Sequence, residues 1–548
     1  MSSRTEAIAG GGVAADGDPA GARARAGTAG ATGPASAPRA LTRGLQWRVF
    51  LTCWVLFSLH FATDFVREHF LVTSMVDDRS FDLGKYYGMH PDIFKNPPEA
   101  PHGGIHHGAN PGISMIGAVP YLLLKPIVDR VVERDLARRK GSTADTAAYR
   151  DPRQMRIAFY KRARELGVDL RFGLIGLITQ VLCMAPLSAL SVVVVLRLLL
   201  GLGFRERSAM WMSFAYAFCT PVLFRTGYLN QNLAIGIFAL LGFAVLWDPL
   251  RSASSRWGWN ARLLFAGLMG GTCFLNDYSG ALATGLIGLY VLWLAWDERG
   301  FGAVIPAGVV YTLGAVGPIL VLWYYQWASF GNFILPPQNW MAPVDWIEVG
   351  YKGVGGPQPD LLWMLLAEPR YGLFTSAPLL LLSLAWPFYH ARRATRIPRR
   401  EALLCFAMAA AFVVFFSAVQ YTRLQWVTGI RYVAPVIPFL FLLTADVLRL
   451  VPRAVAAAAL LAGLAVDWSL AMTRSQAGVL QAIEGVLRNG PSLPVVTTLS
   501  KMTTKYLPWG DGRLTATPLF VLAALLVAAI WLVPFPGGRG ERGAAQAA

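Results

Sequence analysis

Residues 47–69 read WRVFLTCWVLFSLHFATDFVREH: an apolar run that carries no charge between Arg48 and Asp64, then Asp64, Arg67 and Glu68 within five positions. A helix needs about 20 mostly apolar residues to cross a bilayer. This stretch therefore predicts a span over 46–63 that emerges directly into a charged cluster. The same pattern recurs from Val49 to Pro536. Of 548 residues, 55% are hydrophobic and 15% charged, against about 25% charged in soluble domains. These observations exclude a soluble enzyme on a single anchor, collagen, a coiled coil and a disordered chain.

Twelve spans are expected, near 46–63, 172–196, 208–224, 230–247, 262–276, 278–296, 303–325, 371–389, 402–421, 431–446, 454–472 and 514–534. The fold class is thus an all-α polytopic membrane protein. After residue 196, the short connections and tail on one side of the spans carry 16 Lys or Arg, and the short connections opposite carry five. The basic set is expected on the cytoplasmic side, together with the N-terminal tail and its six Arg up to Arg48. Both assignments hold only if residues 64–171 leave and re-enter on the outer side. Ile113–Val128, interrupted by Pro120, Lys125 and Pro126, is then an interfacial helix and not a span. Residues 129–171 hold 12 basic and seven acidic residues, which suits a long loop better than a short one. Net charge of +17 has no basic stripe or nucleic-acid motif behind it, so no nucleic-acid partner is expected. The five cysteines sit in apolar segments and read as packing residues.

Most chemistry-bearing residues fall on the outer side. Asp64, Arg67 and Glu68 share one helix face by their spacing. Asp64 is either an interfacial charge that ends a span or a carboxylate able to take a proton from a nucleophile. Asp77, Asp78 and Asp82 follow, compatible with a solvated loop face. His102, His106 and His107 match no metal template and lie among Gly and Pro, so they are read as a loop facing solvent or substrate. Arg370 and Arg431 stand at outer span ends, where an Arg either snorkels to lipid headgroups or grips phosphate. Trp340 and Trp346 lie in an aromatic loop and suit either the membrane interface or sugar stacking.

In combination these clusters resemble the GT-C superfamily of integral-membrane glycosyltransferases. The similar branch includes protein O-mannosyltransferases and lipid A aminoarabinose transferases. The resemblance is carried by TDFVREHFLVTSMVDDRSFD (63–82), NPGISMIGAVPY (110–121), FRTGYLNQNL (224–233), the Tyr324–Gly331 and Glu368–Pro378 segments, and WVTGIRYVAPVIP (426–438). These occur in the family's order over roughly residues 45–450. Phe65 departs from a common Glu, and Gln231 from a common His.

The resemblance implies sugar transfer from a polyprenyl-phosphate-linked donor to an envelope lipid, polysaccharide or protein, without cofactor or metal. It places this chemistry on the outer face of a bacterial cytoplasmic membrane. By it Asp64 is the general base, supported by Arg67, Glu68, Asp77 and Asp78. Arg431, Arg370 and Lys85 are the expected donor-phosphate contacts, and Trp340, Trp346, His106, His107 and Asn110 the expected sugar or acceptor contacts. The expected organisation is a disordered tail (1–45), a catalytic transmembrane module (46–450) with external loop 64–171, a C-terminal pair (451–536) with loop 474–513, and a cytoplasmic tail (537–548). The competing readings are a transporter or flippase of lipid-linked glycans and an inactive GT-C relative. Few ionisable residues lie within spans, Asp467 being the main one, which disfavours transport.

Overall fold

The computed structural model describes residues 39–140, 154–247, 257–425, 427–473, 478–501 and 515–533. The two tails expected from the sequence lie almost wholly outside these residues. The described chain is mostly helical. Among the described residues, five helical segments are long and apolar enough to cross a membrane: Asp169–Gly201, Gly280–Arg299, Phe301–Phe330, Arg399–Ser417 and Arg453–Met472. All five coincide with expected spans. Gln231–Leu246, Ala434–Leu448 and Thr517–Leu532 are shorter apolar helices at three further expected positions.

The first helix, α1 (Arg39–Leu59), leads into the external region. There the chain forms α2 (Arg67–Thr73), a two-stranded antiparallel sheet of β1 (Ile93–Lys95) and β2 (Ile105–His107), α3 (Gly112–Lys140) and α4 (Gln154–Glu165). The His-containing segment is therefore partly strand and not simply a loop, with Ile93 opposite His107. Helix α3 runs through both of its prolines. Tyr121, Val128 and Val132 face the protein, while Leu122, Leu123 and Ile127 are exposed. Such an apolar outer flank is what an interfacial helix requires.

The next helices are α5 (Asp169–Thr179), α6 (Ala185–Gly201), α7 (Glu206–Phe218), α8 (Val222–Arg225), α9 (Gln231–Leu246), α10 (Trp259–Asn276), α11 (Gly280–Arg299) and α12 (Val304–Phe330). A π turn at Gln180–Met184 joins α5 to α6. Small residues set the closest approach, between α10 and α12. A Cβ on Gly267 would collide with the Tyr311 carbonyl oxygen, and one on Gly271 with that of Ala315. Backbones that meet this closely replace the hydrophobic drive that lipid does not supply. The Ile437–Leu448 helix is buried along its whole length and α9 along most of it, so both are enclosed by protein. By contrast α12 exposes Ile305, Leu313, Leu320 and Trp323 on its outer flank.

The expected span at 371–389 is broken into Leu373–Ser376, a 3-10 segment Pro378–Ala385, and Trp386–Ala391. Pro378 and Pro387 each remove a backbone donor where a continuous α-helix would need one. Asp467 is fully buried in the Arg453–Met472 helix, and neither carboxylate oxygen has a hydrogen-bond partner among the described residues.

Candidate active site

The external region is pinned by charge pairs that reach far along the chain. Asp77 accepts hydrogen bonds from Tyr121 (2.9 Å) and Arg171 (3.0 Å), and lies 3.3 Å from the Lys125 ammonium. Arg171 and Lys125 also hold Asp129, at 2.7 and 2.6 Å. Asp169 accepts from Arg139 and Arg164. Basic residues of 129–171 thus neutralise carboxylates of the same region. Phe65, the residue in place of an acid, stacks on Phe172 with ring centres 4.0 Å apart and on His69 at 4.8 Å. It anchors the start of α2 onto α5.

Beside α2 lies a cavity of about 510 Å³. Four of the sequence-predicted residues line it: Asp64, Arg67, Glu68 and Arg431. Thr63 immediately before Asp64 has φ +56°, a left-handed conformation uncommon for a branched residue. Its hydroxyl is 2.7 Å from that of Thr498. Local strain and a contact from the C-terminal region together set the direction of Asp64. One Asp64 oxygen accepts from Arg156 of α4 at 2.7 Å.

Arg67 is committed to neighbours, with Glu68 at 3.0 Å and Asp92 at 2.9 Å. Burial opposes the charge on Glu68, but the adjacent Arg67 outweighs it and holds the carboxyl below the usual range. Asp92 is lowered in the same way, its burial outweighed by Arg67, His90 and Arg431. Burial drives His107 down to about 3 and His69 to about 4, so both imidazoles are neutral at physiological pH. The His107 Nδ1 accepts from the Ala109 N–H at 3.0 Å.

These ion pairs carry a pH prediction. The folded pKa values of Glu68 and Asp92 are depressed, so their pairs stabilise fully above the ordinary carboxylate range, about 4. That contribution is lost as pH falls through the lower folded values. The melting temperature in detergent is expected to drop on acidification below about pH 4. Arg67→Gln, which strands two carboxylates, should cost about 3–5 kcal/mol at neutral pH. A variant melting like wild type would show that Arg67 is not a strut.

Arg431 differs from Arg67. It donates to the Leu424 carbonyl at 3.0 Å and lies over the Tyr432 ring, and it forms no ion pair among the described residues. Gly429 two positions earlier has φ +88°, and a Cβ there would lie 2.7 Å from the Phe224 ring. Its N–H donates to the Arg370 carbonyl, and its own carbonyl accepts from buried Arg225, each at 2.6 Å. Gly429→Ala is expected to destabilise by about 1–3 kcal/mol, seen as a lower melting temperature. An unchanged melt would show that the turn tolerates a side chain.

The remaining predicted residues stand apart from the cavity lining. Lys85 is exposed and 3.6 Å from Asp78. Arg370 is exposed, and its carbonyl serves the Gly429 turn. Trp340 packs against the cluster of Leu71, Phe94, Tyr325 and Phe330. Trp346 meets Tyr421 edge-on at 5.8 Å. His106 packs on Phe330, and Asn110 donates to the Phe274 carbonyl at 3.0 Å. Among the described residues no three His, Cys, Asp or Glu side chains are grouped to hold a metal.

The cavity also takes in His90, Asp92, Arg156, Tyr228 and the amide run Asn230–Gln231–Asn232, none of which sequence reasoning assigned to the site. The signal for the amides was present, since three consecutive carboxamides in a membrane chain need partners. Arg156 lies in the basic stretch whose charge looked out of place. A second, narrower cavity of about 30 Å³ adjoins Asp64 and is lined in part by Leu470, Thr473 and Pro494. Residues beyond 450 therefore reach the site.

Comparison with known proteins adds three findings. Residues 181–341 match the family model of dolichyl-phosphate-mannose-protein mannosyltransferase. ArnT from Cupriavidus metallidurans bound to undecaprenyl phosphate is similar at 16% identity and a TM-score of 0.43, over 88% of this chain and 76% of that one. The oligosaccharyltransferase of Archaeoglobus fulgidus in the apo form is similar at 13% identity and a TM-score of 0.41, over 88% of this chain and 56% of that one. No curated protein matches in sequence. The matched family is one of GT-C glycosyltransferases, which bears out the resemblance carried by the motifs.

Proposed function

We propose that this GT-C glycosyltransferase moves a sugar from a polyprenyl-phosphate-linked donor to a cell-envelope acceptor, with Asp64 as general base. The observation that carries the proposal is one cavity holding both Asp64 and Arg431, the latter a cation with no carboxylate partner among the described residues. Each carboxylate on the cavity wall is held by Arg67 or Arg156, which leaves the Arg431 guanidinium to meet a phosphodiester.

The acceptor hydroxyl gives its proton to Asp64, and its oxygen attacks the anomeric carbon. The bond from that carbon to the phosphate oxygen breaks, and its electron pair leaves with the polyprenyl phosphate. Arg431 meets the charge that grows on the departing phosphate. Arg156 orients Asp64 by direct pairing at 2.7 Å. Arg67 acts as a strut for Glu68 and Asp92 and reaches the donor only indirectly. In this reading the chain has twelve spans with both ends cytoplasmic, so the cavity opens at the outer face of a bacterial inner membrane. Residues 46–450 are the catalytic module, and the segment after 450 completes the wall beside Asp64.

The test compares envelope glycans and polyprenyl-linked sugars, by mass spectrometry, in cells with and without the chain. Transfer predicts loss of one sugar from a defined acceptor and accumulation of its lipid-linked form on the outer leaflet. Accumulation confined to the inner leaflet would replace transfer with flipping.

A further inference from the structure

Beside its charged groups the cavity has an uncharged polar lining. One wall of it is Asn230–Gln231–Asn232 at the start of α9, and His90, Gln154 and Tyr228 contribute elsewhere. Asn230 is spent as the helix cap, its side-chain oxygen accepting from the Leu233 N–H at 3.1 Å. Gln231 is different. Its Nε2 donates to an Asp277 oxygen at 2.9 Å, while the other Asp277 oxygen accepts from the Ser279 N–H at 2.9 Å. The amide nitrogen is thus the end turned to Asp277, whose two oxygens each take an N–H. Gln231 Oε1 is left buried without a partner among the described residues, on a side chain more than nine-tenths buried. Asn232, also buried, lies beside it on the wall. A buried amide oxygen without a partner is costly unless a donor arrives.

From this geometry we propose that Gln231 and Asn232 read the hydroxyls of a neutral sugar on the donor, with Gln231 determining specificity and Asp277 positioning it. The inference rests on the transferase reading and deepens it. The charge inventory supports neutrality. Asp64, Glu68 and Asp92 are each held by Arg156 or Arg67 at 2.7–3.0 Å, which leaves no cavity carboxylate for a sugar ammonium group. Arg431 is reserved for the phosphate. What faces the sugar is an amide oxygen seeking an O–H donor and a second amide able to donate and accept. Asp277 is not a wall residue; burial raises its pKa above the usual range, while its contacts with Ser279 pull it back.

The test uses the full chain in lipid nanodiscs and three probes: undecaprenyl phosphate, undecaprenyl-phospho-mannose, and the 4-amino-4-deoxyarabinose counterpart. Wild type is expected to bind the mannose lipid about tenfold tighter than undecaprenyl phosphate, the effect of one or two neutral hydrogen bonds. The amino-sugar lipid should gain less. Gln231→Ala should erase most of the mannose increment and leave undecaprenyl phosphate affinity unchanged, which also reports that the variant is folded. Asp277→Asn, which frees the Gln231 amide to turn over, should erase part of it, and Gln231→Glu should favour the amino sugar. The inference is overturned if wild type prefers the amino-sugar lipid, or if Gln231→Ala leaves the mannose increment intact. It is also overturned if that variant weakens all three probes equally. Wild type binding none of the three would instead overturn the transferase reading, and this inference with it.

Discussion

Asp64→Asn is expected to abolish sugar transfer while the protein remains in the membrane at wild-type abundance. The substitution keeps the size of the side chain and its capacity to accept from Arg156, now at 2.7 Å. It removes the negative charge, and with it the capacity to take up a proton. Loss of a general base costs about 10²–10⁴-fold, enough to remove the product glycan from a growing cell. Its signature is paired: the acceptor sugar disappears and the polyprenyl-linked sugar accumulates. Thr63, held left-handed and tied to Thr498, should keep the main chain in place in the variant. If Asp64→Asn preserves glycans that deletion of the chain alters, Asp64 is not the base, and the flippase or assembly readings lead.

Arg431→Ala has the second largest expected effect. Phosphate charge rises as the anomeric bond breaks, so a guanidinium at that point stabilises the transition state more than the bound donor. Its removal should lower kcat by about 10²–10³, with a smaller change in KM for the donor. Arg431→Lys should restore part of kcat, since the charge returns without the paired donors of the guanidinium. Arg67→Ala provides the contrast. Arg67 is already bound to Glu68 and Asp92, so its loss should act through stability. An Arg431→Ala enzyme with wild-type kcat would remove the phosphate from this part of the cavity.

The contrast between these two arginines marks where sequence reading reaches its limit. Both follow or precede a span, both sit among aromatics, and nothing local separates them. Arg67 differs because Asp92, 25 residues away, occupies it. Asp77 and Asp78, expected from the resemblance to support Asp64, do not line its cavity. Asp77 instead holds Tyr121, Lys125 and Arg171, and so ties α3 and α5 to the segment after α2. The basic excess in 129–171 has the same explanation. Its arginines answer acids of the external region, Arg156 for Asp64 and Arg171 for Asp77, across 92 and 94 residues. A count of charge by loop detects the excess and is blind to these partners.

The sequence by itself determined the membrane-spanning helical fold, the positions of its long apolar helices and the order of the polar motifs between them. Those properties are written in runs and periodicities of neighbouring residues, because lipid selects side chains one helix at a time. Only the tertiary structure decided which polar clusters meet. It brought Asp64, Arg431 and the Asn230–Gln231–Asn232 wall to one cavity. It left Lys85, Arg370 and Trp346 elsewhere, and brought Pro494 of an unassigned region to within the wall beside Asp64. Pairing between residues hundreds of positions apart depends on how helices pack, and leaves no trace in local composition.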